Sequence, residues 1–373
     1  MRVTGKIRLF TKAANMNLIV YIRRVLKNVF LIILPNSLRR RLIPHIAKSS
    51  FLTSIYYGIK GTYLDEQKKI LVGISSYQKD EHDRKGFPQY KLIRNIHRIE
   101  KGLSIEKRRD VFAESYILET VEALEKVIIN RRDYENSAEL VSWAFDVLSL
   151  YFQEMPNNEN IQSALIWFDA LLDKKSYTPG ERTPYFHGTE DVSPVQYEDL
   201  KRLALCRRSI RWYQDKLVPR EYIDFAIEIA AMSPSACNRQ AFEFRIYDDP
   251  ILVKEICELP PGMEGFREGI PCIIVITGSL NAYFHERDRH LIYLDIGIAS
   301  MAFQLGLVTQ GLSSVCINWP MLSNKDIAIQ TLLNLREDEK VVMMMAVGYA
   351  DPDGKIPFSG KKPLEELRSY NKK

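Results

Sequence analysis

A chain of 373 residues that is 46% hydrophobic and 27% charged is too apolar to be disordered and long enough for two domains. Its five cysteines, Cys206, Cys237, Cys257, Cys272 and Cys316, form no CxxC pair. They exclude a zinc ribbon or a disulfide scaffold and read as reduced, mostly buried thiols of a cytoplasmic protein. The formal charge of +5 conceals a split, because residues 1–64 carry 12 Lys or Arg and no Asp or Glu, leaving 40 basic against 47 acidic residues in the remainder.

That asymmetry marks residues 1–64 as a basic segment suited to an anionic partner. Between positions 18 and 46, Leu18, Ile22, Leu26 and Phe30 alternate with Arg23, Arg24 and Lys27, and Arg39, Arg40 and Arg41 follow Pro35. The uninterrupted apolar run 29–34 falls far short of the roughly 20 residues that span a bilayer. Internal charges and the lack of a small-residue cleavage site argue against a secretory signal. Two readings stand side by side: a helix lying on an anionic membrane surface, which would make the protein peripheral, and a basic helix packed on its own protein. Nucleic acid is disfavoured, since no recognised binding motif accompanies the charge.

Residues 65–175 read as helical. Val111, Phe112, Ile117, Leu118, Val121, Leu124 and Ile128 recur near the 3.6-residue period, and 140–152 and 161–172 repeat the pattern. Arg94, His97, Arg98 and Lys101 form the densest polar motif of this half, either a solvated basic face or a stripe able to hold an anion. Residues 176–192, with Pro179, Gly180, Pro184 and Gly188, read as a linker to a second domain at 193–373.

In that domain a helix is expected from Ser193 as N-cap, with Pro194 in its first turn, to about Cys206. Another is expected from Pro219, with Tyr222, Phe225, Ala226 and Ile229 on one face. Short apolar runs at 242–247, 272–277, 314–318 and 341–347 alternate with helices, an α+β pattern. The last run is apolar on both faces, which predicts a central strand whose methionines fill the core. The run 291–307 is too hydrophobic to face water along its whole surface.

Two segments carry chemistry. Arg207, Arg208, Ser209 and Arg211 put three guanidiniums and a hydroxyl into five positions, suited to charge-assisted binding of a phosphate or carboxylate. In an extended segment Arg207, Ser209 and Arg211 would share one side and Arg208 the other. Pro234, Ser235, Ala236 and Asn238 combine small side chains, which let backbone close on a planar ring, with an amide able to serve donors and acceptors alike.

The order of these elements, RRSxR, then PSAxNxQ, then Phe242-Glu243-Phe244, then Gly311 to Ile317, Gly348-Tyr349 and the tail from Lys361, resembles the nitroreductase-like FMN-dependent oxidoreductase family over about residues 192–373. The resemblance implies an α+β fold, a nitroreductase-like mixed sheet flanked by helices, preceded by a mostly helical N-terminal region. It also implies FMN as cofactor, NADH or NADPH as electron donor, a small-molecule acceptor and a homodimer. Arg207, Ser209, Arg211 and Lys361 would then hold the phosphate, with Arg208 facing the other side or reaching the ring. Pro234, Ser235, Ala236 and Asn238 would approach the flavin from the opposite subunit, with Cys316, Ile317 and Asn318 beside the ring and Asn318 placed to position substrate. Ala241 stands where the family usually has Pro, and Lys361 where it usually has Arg.

Trp319 is expected either to wall a substrate pocket or to pack. Residues 65–175 weakly resemble extensions of nitroreductase-like proteins from cell-surface polysaccharide loci. A non-catalytic dimerisation or interaction protein on the same scaffold is the alternative reading. No HExxH, zinc-type cysteine set or GxSxG elbow occurs, and His285 and His290 are five apart, so no metal site is expected. No GxGxxG follows a strand, which leaves a Rossmann-bound nicotinamide without support.

Overall fold

The computed structural model describes residues 42–372 except 62, 84, 131–137, 157, 176, 178–179 and 189–192. The expected basic helix within 18–46 therefore lies almost wholly outside the described residues, as does part of the expected linker. The chain divides into two compact units, 1–68 and 69–373. In the first, helix α1 (Ser50–Lys60) is capped by the Ser49 hydroxyl, which accepts from the Leu52 amide, and ends at Gly61 with φ 68°. That left-handed turn suits glycine and lets its N–H reach the Tyr57 carbonyl. No residue of α1 is buried.

In the second unit, the helices that follow α2 (Leu64–His82) are α3 (Gln89–Leu103), α4 (Ile117–Ile129), α5 (Ala138–Glu154) and α6 (Glu159–Lys175). Leu92, Ile96, Leu124, Phe145, Leu148 and Phe168 pack into one apolar core. The periodic stretch from 111 does not begin as helix: Ala113 takes φ 62°, and α4 starts only at Ile117. Asp146, 1% exposed, accepts from the Tyr177 hydroxyl at 2.9 Å, the Gly180 amide at 2.5 Å and the Arg182 amide at 3.2 Å. It thereby straps the chain after α6 back onto α5.

The remaining elements are α7 (Tyr197–Cys206), α8 (Arg220–Ala231), β1 (Phe242–Tyr247), α9 (Pro250–Cys257), β2 (Cys272–Ser279), α10 (Leu291–Thr309), β3 (Ser313–Asn318), α11 (Ser323–Leu332), β4 (Glu339–Gly348) and α12 (Leu364–Leu367). The strands form one sheet in the order β1-β2-β4-β3 with antiparallel ladders. Among the described residues its parallel component is the bridge Ser209–Ser314 on the outer edge of β3. As expected from its two apolar faces, β4 is central. Met344 joins the core shared with α9 and α11, and Met345 the core shared with α8 and α10.

Several local expectations are corrected. Helix α7 starts at Tyr197 rather than Ser193, because the Ser193 hydroxyl accepts from the Val195 amide in a local turn. Helix α8 buries Ile223, Ala226 and Ala230, whereas Phe225 and Ile229 point outward. Helix α10 is long and apolar enough by composition to cross a bilayer, but half of that stretch is buried in the fold. Leu294, Ile298 and Met301 remain exposed on its other side.

The thiols are also more varied than composition implies. Cys206 and Cys316 are exposed and Cys237 is half-buried; only Cys257 and Cys272 are buried, and burial pushes each of those two up to about 12. A thiol alkylates through its thiolate. Pulse alkylation of the native protein, read peptide by peptide, should therefore modify Cys206 and leave Cys257 and Cys272 untouched until denaturant is added.

Candidate functional site

The segment after α7 leaves the helix at Arg207 (φ −69°, ψ 109°) and runs extended along the outer edge of β3. Two contacts fix it there: the Ile210 amide donates to the Ser314 carbonyl at 3.1 Å, and the half-buried Tyr213 hydroxyl lies 2.7 Å from the Ile210 carbonyl and 3.1 Å from the Ala346 carbonyl of β4. The three guanidiniums part company. Arg207 Nη1 donates to Gln304 Oε1 on α10 at 3.3 Å. Arg208 Nη2 donates to the carbonyls of Pro357 and Phe358 at 2.8 and 2.6 Å, clamping the C-terminal tail. Arg211 lies 5.8 Å from the Phe266 ring centre. The three guanidiniums thus do not converge: Arg207 meets α10 and Arg211 the Phe266 ring, which packs on the core of the other sheet face, and Lys361 is exposed three residues past the Arg208 clamp.

The outer edge of β3 continues beyond this contact. Since main-chain groups alternate sides along a strand, Cys316 and Asn318 turn their N–H and C=O groups toward the same edge as Ser314. Their side chains are exposed while Val315 and Ile317 are buried. An extended basic segment and an open main-chain edge therefore lie side by side.

The second predicted segment forms a tight turn. Pro234 is exposed and Ser235 half-buried before a 3-10 turn over Ala236–Asn238. Cys237, Asn238 and Gln240 take φ of 53°, 53° and 47°. Left-handed backbone costs a non-glycine residue on the order of 1–2 kcal/mol, so this turn must be held by its surroundings. The Gln240 amide donates to Ser235 Oγ at 3.1 Å, and Gln240 Nε2 donates to Asn238 Oδ1 at 3.1 Å. A residue before proline is pushed to extended backbone, so Ala241 in place of the usual Pro agrees with the left-handed Gln240.

Outside the turn, Asp295 on α10 accepts from the Ala236 amide through both carboxylate oxygens, at 3.2 and 3.1 Å. Burial pushes the Asp295 carboxyl up, opposed by that amide and by the Arg239 charge. Neither Asp295 nor Gln304 was singled out from the sequence. The available signal was a polar residue interrupting an apolar helical run. At 3.6 residues per turn the two fall on opposite borders of the buried arc of α10, where each reaches a neighbouring loop.

Other candidates resolve as structure. Trp319 is 5% exposed and donates Nε1 to Asp326 Oδ1 at 2.7 Å, so it packs rather than walls a pocket. Arg94 lies 4.4 Å over the Phe284 ring and Arg98 3.8 Å over Tyr116, while His97 Nδ1 meets Glu100 Oε2 at 3.2 Å. Of this basic motif, Arg94 reaches the segment following β2, while Arg98 and His97 are engaged within the helical layer. Gly73 of α2 makes the same junction, since a Cβ there would sit 2.6 Å from Leu280 Cβ. Among the described residues no His, Cys, Asp and Glu group could hold a metal ion.

Residues 204–261 and 261–349 match the model of the nitroreductase family, so the C-terminal part of the chain resembles that family. Among sequence relatives, iodotyrosine deiodinase of Nematostella vectensis is 25% identical over 214 residues, covering 49% of this chain and 80% of the relative. Iodotyrosine deiodinase 1 of Homo sapiens is 23% identical over 217 residues, covering 50% and 74%. Among solved structures, an FMN-dependent nitroreductase from Clostridium difficile R20291 has a TM-score of 0.39 at 24% identity, covering 44% of this chain and 95% of that one.

Proposed function

We propose that residues 193–373 form an FMN-dependent oxidoreductase acting on a small-molecule acceptor. The observation that carries this reading is the extended 207–211 segment lying along β3 beside the open edge of Cys316 and Asn318. Arg207, Ser209 and Arg211 supply charge and hydroxyl for a phosphate, the β3 edge supplies donors and acceptors for a ring, and the turn at Pro234–Asn238 supplies a small-residue wall. Arg208 and Lys361 would close the tail over the phosphate. These groups fit the family cofactor. When bound, FMN supplies the hydride-accepting chemistry, and the protein's part is to orient the ring and stabilise charge. Because that chemistry belongs to the cofactor, the lack of a catalytic triad weighs little.

NADH or NADPH is proposed as the donor. Anaerobic addition of each to the flavin-loaded protein should bleach the flavin with at least one of them, and no bleaching with either would remove nicotinamide from the scheme. Relatives named iodotyrosine deiodinases make reductive dehalogenation a reaction to test beside nitro reduction.

A homodimer belongs to the same proposal. Leu294, Ile298 and Met301 form an exposed apolar stripe on α10, Phe225 and Ile229 lie outward on α8, and the tail exposes Ile356 and Phe358. A second copy of the chain would cover them. Ile298→Glu should convert the dimer to monomer in sedimentation velocity and lower flavin occupancy, since Asn238 is proposed to reach the partner's flavin. A wild-type monomer that binds FMN tightly would contradict the shared site.

Residues 1–64 are proposed to hold the protein on an anionic leaflet. Helix α1 leaves Phe51, Leu52 and Ile55 exposed, and no acidic residue occurs in the whole segment. The full chain should sediment with acidic liposomes and be released by high salt, because screening at physiological ionic strength acts beyond about 8 Å. Deletion of residues 1–48 should weaken sedimentation and spare flavin binding. Equal partitioning of both proteins would assign the segment to packing on its own protein. No feature of the described residues bears on a link to cell-surface polysaccharide synthesis.

A further inference from the structure

Three buried side chains converge on the strained turn, Asp295 and Tyr283 from outside it and Arg239 from within it. Asp295 is 5% exposed and binds the Ala236 amide with both oxygens. Arg239, the residue that leaves the turn, is 4% exposed, and its guanidinium lies 5.1 Å over the Tyr283 ring. Tyr283 is 2% exposed. Arg239 Nε and the Tyr283 hydroxyl have no hydrogen-bond partner, so the contribution of this cluster comes from charge and ring packing rather than from those two groups. The Arg239 charge is near enough to oppose the effect of burial on the Asp295 carboxyl.

We propose that Asp295, Arg239 and Tyr283 form a buried latch that positions the turn Ala236–Gln240, with its left-handed Cys237, Asn238 and Gln240, and thereby sets the presentation of Asn238. These are positioning residues: Asp295 grips the backbone of the turn at its start, and Arg239 anchors its end under Tyr283. The latch connects α10 to the cofactor-facing turn. Its functional half rests on the FMN reading above; its structural half does not.

Cys237 lies inside the turn, half-buried, and reports on it without any cofactor. In cofactor-free protein, Asp295→Ala should raise the alkylation rate of Cys237 about tenfold relative to Cys257, as expected for loss of a hydrogen bond to a charged group in a local opening equilibrium. Asp295→Asn keeps one acceptor and should fall between Ala and wild type. Tyr283→Phe removes only the unpartnered hydroxyl and should match wild type.

With FMN added, Asp295→Ala should weaken binding about tenfold and change the visible circular dichroism of the bound flavin, and Asp295→Asn should partly restore both. Wild-type alkylation of Cys237 in Asp295→Ala, with unchanged far-ultraviolet circular dichroism, would overturn the latch. If Asp295→Ala does not fold, Asp295→Asn decides by the same readout. Faster alkylation with unaltered FMN affinity and flavin spectrum would overturn the positioning role while leaving the cofactor reading intact. A wild-type protein that binds no FMN would overturn that reading, and Cys237 would still test the latch.

Discussion

Alanine at both Arg207 and Arg211 is expected to lower FMN affinity by about 10²–10⁴-fold, since each charge-assisted hydrogen bond to phosphate contributes on the order of 1.5–3 kcal/mol. Arg211→Ala alone should cost at least about tenfold. The fold should survive, because Arg207 and Arg211 lie at the edge of the sheet and neither is buried. Arg207 also binds Gln304 in this structure, so Gln304→Ala serves as the comparison. If Gln304→Ala weakened FMN as much as the double variant, the two arginines would be acting through α10 rather than through the phosphate. Fluorescence titration of FMN, with far-ultraviolet circular dichroism as the folding control, measures both.

Phe303→Ala should destabilise the second unit by about 3–5 kcal/mol, the usual cost of emptying a buried aromatic site. Phe303 is 0% exposed and its ring centre lies 5.0 Å from that of Phe244 on β1, so the cavity would open between α10 and the sheet. Little can collapse into it. A Cβ at Gly306, one turn further along α10, would already sit 2.8 Å from the Ala226 backbone, which shows how closely α8 and α10 approach. Against a total stability on the order of 5–15 kcal/mol, this loss should appear as a large fall in the urea midpoint with an unchanged slope. A loss below about 1 kcal/mol would show that α10 does not carry the core in the way its burial implies.

The sheet was legible in the sequence because burial on two faces leaves a distinctive run. The stretch 341–347 admits no polar face, and β4 is accordingly flanked by β2 and β3. Helix faces were less legible. Phe225 and Ile229 match the apolar period of α8 as well as Ile223 and Ala226 do, and the pattern does not reveal which stripe meets the sheet when both are apolar. The start of α7 was misplaced because Ser193 and Pro194 are good capping residues that form a local turn instead, a competition that only the tertiary context decides.

At the candidate site, residue types singled out two segments but not their partners. RRSIR reads as one cradle, yet its guanidiniums meet α10, the tail carbonyls and Phe266 respectively. Asp295 and Gln304 sit 59 and 97 positions away in sequence from the loops they hold, and nothing local marks such pairs. The polar motif on α3 left two readings open for a different reason. Arginine bound to aromatic faces has the same composition as arginine waiting for an anion.

The most direct test of the central claim is the flavin content of the full-length protein: its visible absorption spectrum after loading with FMN and gel filtration, with the released flavin quantified after denaturation. One FMN retained per chain is expected, and markedly less in Arg211→Ala. A folded protein that stays colourless, and whose melting temperature does not rise with added FMN, would contradict it and leave the scaffold as a dimerisation module.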